Sequence, residues 1–501
     1  VNVNEHARRW WILAVISVAQ LMVALDSTVI NIALPRAQHD LGFSDSARPW
    51  AITAYALAFG SLLLLGGRLS DLWGQRNALM IGLVGFAVAS AVGAASSSFS
   101  MLVTARAVQG AFGALLAPAT LAILTTTFRE PKERARAFAI SGAIGASGAA
   151  IGLLVGGALT QWSSWRWCLS INLFFAAIAL AGTVTFVRGG RGQYHQHLDW
   201  FGTLLACGGF FGVVFGLGHA VGGSSTDWTS NATWGPLAAG FALLIGFIFW
   251  QKVSRHPLLP LRIVANRMRA GSLVALFLTS SGIFGISLFL AYYLEQTLGY
   301  SPIVTGLAFM PMVIAIGFSA AIASARLLPV TGPRSLVPAG MALGAMGLVL
   351  FTRLTTVDQY WSHILPGLVV TGLGLGLVFA PSVATATSAV SAQDAGAASA
   401  AVNATQQVGG SIGVALLNTI AIQATTLAAS SQISNLLHQP WITPPSATRL
   451  AIARIRSAAT VHGYSIAFWW GAGIFAVGTV ATFALLESGV APIDAPELIE
   501  A

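Results

Sequence analysis

Asp26 stands in the stretch LMVALDSTVI (21–30), a run otherwise built to dissolve in lipid. A carboxylate at that depth costs about 2.5–3.5 kcal/mol on insertion scales, so it needs a counter-charge, water or a proton. Arg106, in RAVQGAFGA (106–114), is the one basic residue expected inside an apolar helix. Counting from the helix ends at roughly 1.5 Å per residue puts both groups on the order of 10 Å beneath the same membrane surface, close enough in depth to meet. Low dielectric favours a neutral carboxyl and a nearby guanidinium favours an ionised one, so making and breaking this contact would move a proton. The alternative is a permanent ion pair that only ties two helices together. Glu295, in YYLEQ, is the second acidic candidate; plain solvation at the membrane interface is its other reading.

These residues need a scaffold that holds charge in lipid. The 501-residue chain is 55% hydrophobic and 8% charged, with a mean hydropathy of +0.76. A soluble domain carries roughly 25% charged residues. Apolar segments of about 20 residues, each able to cross a hydrocarbon core of roughly 30 Å as a helix, recur from end to end. Backbone groups left open in lipid are prohibitive, and uniformly apolar runs do not alternate as barrel strands do, so the spans are expected to be helices. The net charge of +9 and pI of 10.2 would suggest nucleic acid in a soluble protein; here they indicate cytoplasmic loops rich in Lys/Arg and contact with lipid headgroups. Cys168 and Cys207 fit neither a disulfide framework nor a metal pattern. The first apolar run, Trp10 to Ala33, is too long for a signal peptide.

Fourteen transmembrane helices are expected, the first near 11–34 and the last near 465–486. With both termini cytoplasmic, 17 of the 25 Lys/Arg residues fall on the inner side and seven on the outer, Arg106 being the remaining one, as the positive-inside rule requires. RLSDLWGQR (68–76) recurs as RLLPVTGPR (326–334), with Arg, Leu, Gly and Arg at identical spacing. The repeat implies a duplicated six-helix unit: residues 1–190 form one bundle, 191–262 two inserted spans, and 263–501 the second bundle. The polar stretch 426–464 is expected to be a long external loop, with a short amphipathic helix around Arg449 to Ala458. Parallel repeats of this kind are a transporter feature, with the substrate site at their interface. A cavity there should be apolar and aromatic with a few polar groups. The candidates to line it are Asn31, Tyr55, Phe59, Gln109, Phe112, Tyr292, Tyr293, Phe309, Asn403 and Gln407. Their aromatic faces would each favour a cation by about 0.5–2 kcal/mol.

Several motifs carry a family likeness. LDSTVINIALP (25–35), GRLSDLWGQR (67–76), RAVQGAFGA (106–114), GASGAAIGLLVGG (145–157), WRWCLSIN (165–172), LDWFG (198–202) and YSPIVTGLAFMP (300–311) together resemble 14-helix drug:proton antiporters of the major facilitator superfamily. The resemblance implies inward proton flow exchanged for export of amphipathic, often cationic drugs. Its loop motif marks Gly67, Asp71, Gly74 and Arg76 as the expected gating motif, while the expected proton-coupling residues Asp26, Arg106 and Glu295 rest on the charge and depth given above. It also implies an antiporter motif in Gly145, Gly148, Gly152, Gly156 and Gly157, whose spacing permits close helix contact. Two positions depart from the family pattern: Leu153, not proline, follows Gly152, and Leu173-Phe174 follow Asn172.

The reading is therefore an all-α integral membrane protein of the bacterial inner membrane, a proton-driven exporter working as a monomer. Its partners would be small-molecule drugs, protons and membrane lipids, with no nucleic acid. No cofactor is expected beyond the proton gradient, and no phosphate-binding loop is present; GLGLG (372–376) lies within a span. The alternatives are a dedicated exporter of a natural product, siderophore or lipid, a solute:proton symporter of the same fold, a membrane enzyme, or a receptor. The sequence contains neither a metal-ligand cluster nor a nucleophile–base arrangement to support the enzyme. YHQH (194–197) reads as solvated, and Asn231-Ala232-Thr233 as a chance sequon.

Overall fold

A computed structural model describes residues 3–128, 130–188, 199–219, 230–254, 257–258, 264–388, 395–437 and 445–487. The regular elements among the described residues are all helices. In chain order the elements are α1 (Val3–Leu41), α2 (Trp50–Trp73), α3 (Gln75–Ala94), α4 (Phe99–Thr127), α5 (Pro131–Trp162), α6 (Trp167–Phe186), α7 (Trp200–His219) and α8 (Asn231–Val253). They continue as α9 (Arg267–Thr297), α10 (Pro302–Thr331), α11 (Pro333–Phe351), α12 (Tyr360–Thr387), α13 (Ala395–Leu437) and α14 (Pro445–Leu485). Twelve helices among the described residues are long and apolar enough to cross a membrane, and Trp50–Leu63 and Ile151–Trp162 are shorter apolar stretches within α2 and α5. A multi-pass membrane protein follows; of the fourteen spans expected, twelve meet that criterion.

Local chemistry ends the helices. Ser98 caps α4 by accepting from the Met101 amide, and Asn266 caps α9 by accepting from Arg269. Gly74 (φ 83°) breaks the chain between α2 and α3, and Gly332 (φ 69°) does so between α10 and α11. Both sit in the left-handed region that only glycine enters freely, and they are the glycines of the two repeated loop motifs. The repeat extends to packing. In α1–α6 the pairs α1–α5, α1–α6, α2–α4, α3–α4 and α3–α6 touch; in α9–α14 the pairs α9–α13, α9–α14, α10–α12, α11–α12 and α11–α14 repeat them.

Two expectations need correcting. The first helix does not stop near residue 34; it continues through Pro35 to Leu41 and ends before Gly42. The stretch 426–464 is not mainly a loop, since α13 runs to Leu437 and α14 starts at Pro445. Its polar residues keep it from spanning, but Ala, Leu and Gln are good helix formers, so both helices continue beyond their apolar parts. Residues 438–444, and His195 and His197 of YHQH, lie outside the described residues.

The α7–α8 hairpin packs on α2 and α13, at the seam between the bundles. Asp199 caps α7 through the Gly202 amide (2.8 Å) and accepts from Trp250 Nε1 (2.7 Å) and Gln251 Nε2 (2.9 Å), which ties the end of α8 to the start of α7.

Candidate functional site

Asp26 and Arg106 meet. The guanidinium Nη1 donates to Asp26 Oδ2 at 2.6 Å, and both side chains are about 1% exposed. The pair is embedded in a polar cluster contributed by five helices. Asn172 Nδ2 (α6) donates to Asp26 Oδ1 at 2.6 Å and Gln109 Nε2 (α4) donates to the same oxygen at 3.2 Å. Gln109 also donates to Ser90 Oγ (α3) at 2.7 Å, and its own carbonyl accepts from Arg106 Nη1 at 3.0 Å. Arg106 Nε donates to the Ala51 carbonyl of α2 at 3.2 Å, and the guanidinium lies over the Tyr55 ring, 4.4 Å from its centroid. A buried carboxylate with three donors, one of them its counter-ion, is the arrangement that makes such burial tolerable.

A cavity of about 500 Å³ opens between the bundles. Its wall comes from the middle of α1 (Gln20, Val23, Ser27), α2 (Tyr55, Phe59), the second half of α4 (Leu116, Thr120), Ser141 of α5, Thr387 of α12, and Asn403 and Gln407 of α13. It therefore lies toward the end of the molecule where α4 joins α5 and α12 joins α13. The opposite end is closed. Tyr292 Oη of α9 donates to Gln38 Oε1 of α1 at 2.7 Å, Arg48 lies over the Tyr292 ring at 4.0 Å, and Asn418 of α13 donates to the Asp45 carbonyl at 3.4 Å. Gln161 Oε1 of α5 accepts from the Ile303 amide of α10 at 3.3 Å.

Of the residues expected to line a cavity, Tyr55, Phe59, Asn403 and Gln407 do so. The others lie elsewhere. Gln109 belongs to the ion-pair cluster, and Phe112 presses on α3 at Gly82 and Gly85. Tyr292, Tyr293 and Phe309 are buried in the apolar core at the closed end, where Tyr293 Oη donates to the Thr355 carbonyl (2.7 Å) and Asp358 (2.8 Å). Asn31 is half-buried in α1, off the cavity wall. A helix that is apolar on every side shows no preferred face, so sequence could not assign these orientations.

The glycine motif is a packing surface. Gly148, Gly152 and Gly156 face Ala24, Thr28 and Val29 of α1, and a side chain on Gly157 would run into the Pro302 carbonyl and Ile303 of α10. Arg76 donates to the Val184 carbonyl near the end of α6 at 3.3 Å, and Gly67 faces Pro118 of α4. Asp71 lies in α2 and Gly145 in α5; their surroundings lie outside what the structure describes. Glu295 sits in a π-helical turn ending α9, with Oε1 buried and without a hydrogen-bond partner. It is far along the chain's closed end and takes no part in the Asp26 cluster. Trp165 and Arg166 both bond Asp40 at the end of α1, which fixes the start of α6.

Sequence reasoning missed Ser90, and did not assign Asn172 to the site although it lies in a motif. It also missed Gln20 and Ser141 in the cavity. The available signal was the same in each case: an amide or hydroxyl in an otherwise apolar helix. Among the described residues no group of three or more His, Cys, Asp or Glu side chains is placed to hold a metal.

Residues 16–414 match the family model of the Major Facilitator Superfamily. The chain is 44% identical to the puromycin resistance protein of Streptomyces alboniger over 483 residues, covering 96% of this chain and 92% of that one. It is 35% identical to the cephamycin export protein of Amycolatopsis lactamdurans, covering 81% and 84%. Among solved structures it is similar to a bacterial homologue of the human lysosomal transporter Spinster, with a TM-score of 0.62, 14% identity, and 95% and 96% of the two chains covered. The last likeness concerns the fold.

Proposed function

The chain belongs to the Major Facilitator Superfamily, and from that premise we propose that it exports amphipathic small molecules from the cytoplasm in exchange for protons. The observation that carries this reading is the buried Asp26–Arg106 pair lying directly behind the wall of a one-sided cavity between two repeated bundles. Its relatives are named for resistance to, or export of, antibiotics. A cavity of about 500 Å³ is within the usual range for small-molecule sites, roughly 300–1,000 Å³.

In this reading the open end faces the cytoplasm, as the loops' Lys/Arg distribution favours, and the structure is the inward-open state of an alternating-access cycle. Fourteen spans, with residues 1–190 and 263–501 as the rocking bundles and 191–262 as an insert, complete the architecture in a bacterial inner membrane. The working unit is a monomer, because both pseudo-repeats and the whole cavity lie in one chain. Cargo enters the cavity, the bundles rock, and Asp26 takes a proton from outside as cargo leaves. Arg106, Gln109 and Asn172 hold the carboxylate in place until the rearrangement loosens them. Gly148, Gly152 and Gly156 provide the flat α1–α5 contact over which Asp26's helix can slide.

A second reading, a dedicated exporter of one natural product, is favoured by the single-compound names of the relatives. One set of assays separates the two. Cells loaded with a fluorescent lipophilic cation or with puromycin are followed for efflux, comparing wild type with Asp26→Asn at matched expression, with and without a protonophore. Proton-coupled export expects efflux to collapse on uncoupling and in the variant. An Asp26→Asn protein that pumps normally would remove Asp26 from the coupling. Export of puromycin without the lipophilic cation would support the dedicated exporter.

A further inference from the structure

Tyr55 both forms part of the cavity wall and touches the ion-pair cluster. Its ring lies against the Arg106 guanidinium at 4.4 Å, and Arg106 Nη1 is the donor shared by Asp26 and Gln109. The ring's other neighbour in the wall is Phe59, at a centroid distance of 5.8 Å. Helix α4 leaves room for both: a methyl group on Gly113 would come within 2.8 Å of the Phe59 ring and 3.5 Å of the Tyr55 hydroxyl. That hydroxyl is buried and has no hydrogen-bond partner. A phenol normally finds an acceptor when buried. The surrounding wall supplies further neutral hydrogen-bonding groups in Ser27, Thr120, Asn403 and Gln407.

Resting on the export reading above, we propose that cargo presents a hydrogen-bond acceptor, a carbonyl or amide oxygen, to the Tyr55 hydroxyl. Tyr55 is then the positioning residue through which an occupied cavity changes the hold of Arg106 on Asp26. The cation–ring attraction depends on where the ring centroid lies. Cargo seated against the ring shifts its centroid away from Arg106, and the guanidinium that pairs Asp26 is the group released. The two halves of the side chain thus do separate work: the hydroxyl reads the cargo, and the ring face reports it.

Two variants separate these roles in the full-length protein reconstituted into vesicles, with puromycin as the probe and proton movement followed by an internal pH dye. Tyr55→Phe keeps the ring and removes the hydroxyl. Its KM for puromycin should rise about three- to ten-fold, the loss of one hydrogen bond, with the protons moved per puromycin unchanged. Tyr55→Leu removes the ring. It should let protons through without puromycin and lower the ratio of coupled transport. A merely structural tyrosine would lower the rate in both variants and leave KM and the ratio alone, which would overturn the proposal, as would a Tyr55→Phe protein that loses coupling as fully as Tyr55→Leu. Wild-type vesicles that carry puromycin with no proton movement would sink the export reading itself, a result visible before any variant is made.

Discussion

The two bundles share one helix arrangement and differ in what lies at its centre. Where α1, α3, α4 and α6 converge, the first bundle encloses Asp26, Arg106, Gln109, Asn172 and Ser90. In the corresponding region of the second, α9, α11 and α14 enclose Phe289, Met341, Phe351, Phe468 and Phe475. Phe475 fits against Gly282 of α9 and Gly344 of α11, and Phe351 against Gly367 of α12. The same fold is thus held once by charge and amides and once by rings packed on glycines. Apolar rings in lipid have little to gain from one another beyond van der Waals contact, so the second centre is held by packing alone. An ion pair under the same conditions is sensitive to every change in its surroundings. The two halves share a frame, and the buried ion pair lies in the first of them.

Breaking the contrast begins at Arg106. Arg106→Ala leaves Asp26 buried without its counter-ion and should cost about 3–5 kcal/mol, read as a fall in the thermal unfolding temperature of the detergent-purified protein. The double variant Asp26→Ala/Arg106→Ala should recover part of that stability and none of the transport. Equal instability in the single and double variants would show that the pair is not the source of the cost.

Phe475→Ala is the matching test in the second bundle. Its cost should fall below the range of about 3–5 kcal/mol seen in soluble cores, because lipid solvates an exposed ring as well as protein does. The protons moved per cargo should stay at the wild-type value. A changed ratio would mean that the second bundle takes part in coupling. Gly152→Val sharpens the contrast along α5, where a side chain meets Thr28 and the Leu25 carbonyl, within two residues of Asp26. Overpacking there should cost about 1–3 kcal/mol and slow transport, checked by unfolding and by initial efflux rate.

The smallest effect expected is at the closed end. Tyr292→Phe removes the bond to Gln38 that joins α9 to α1. It should shift the opening equilibrium by about 0.5–1.5 kcal/mol, read as faster labelling of a cysteine placed at the buried Ala37 in a protein lacking Cys168 and Cys207. Unchanged labelling would leave Arg48 and Asn418 as the groups that hold this end shut.

The site was legible to unequal degrees. Asp26 and Arg106 stood out because charge inside an apolar helix is costly wherever the helix packs, and their shared depth followed from counting turns. Gln109 was noticed but assigned to the cavity, since its position on α4 does not reveal whether it points at α2, α3 or the opposite bundle. Tyr292, Tyr293 and Phe309 were misplaced for the same reason. Ser90 was not noticed, because one hydroxyl in a helix can bond its own backbone and leaves no trace of a partner.

Sequence alone determined the helices, the twofold repeat marked by Gly74 and Gly332, and the need for a counter-charge near Asp26. These follow from lipid solvation, backbone geometry and electrostatics, which act on each segment by itself. Tertiary structure decided which amides complete the pair, that the cavity opens at one end and is sealed at the other, and that Tyr55 stands between cavity and charge. Those outcomes depend on helix rotation, and a helix apolar on every side can be rotated by packing with no mark in its own sequence.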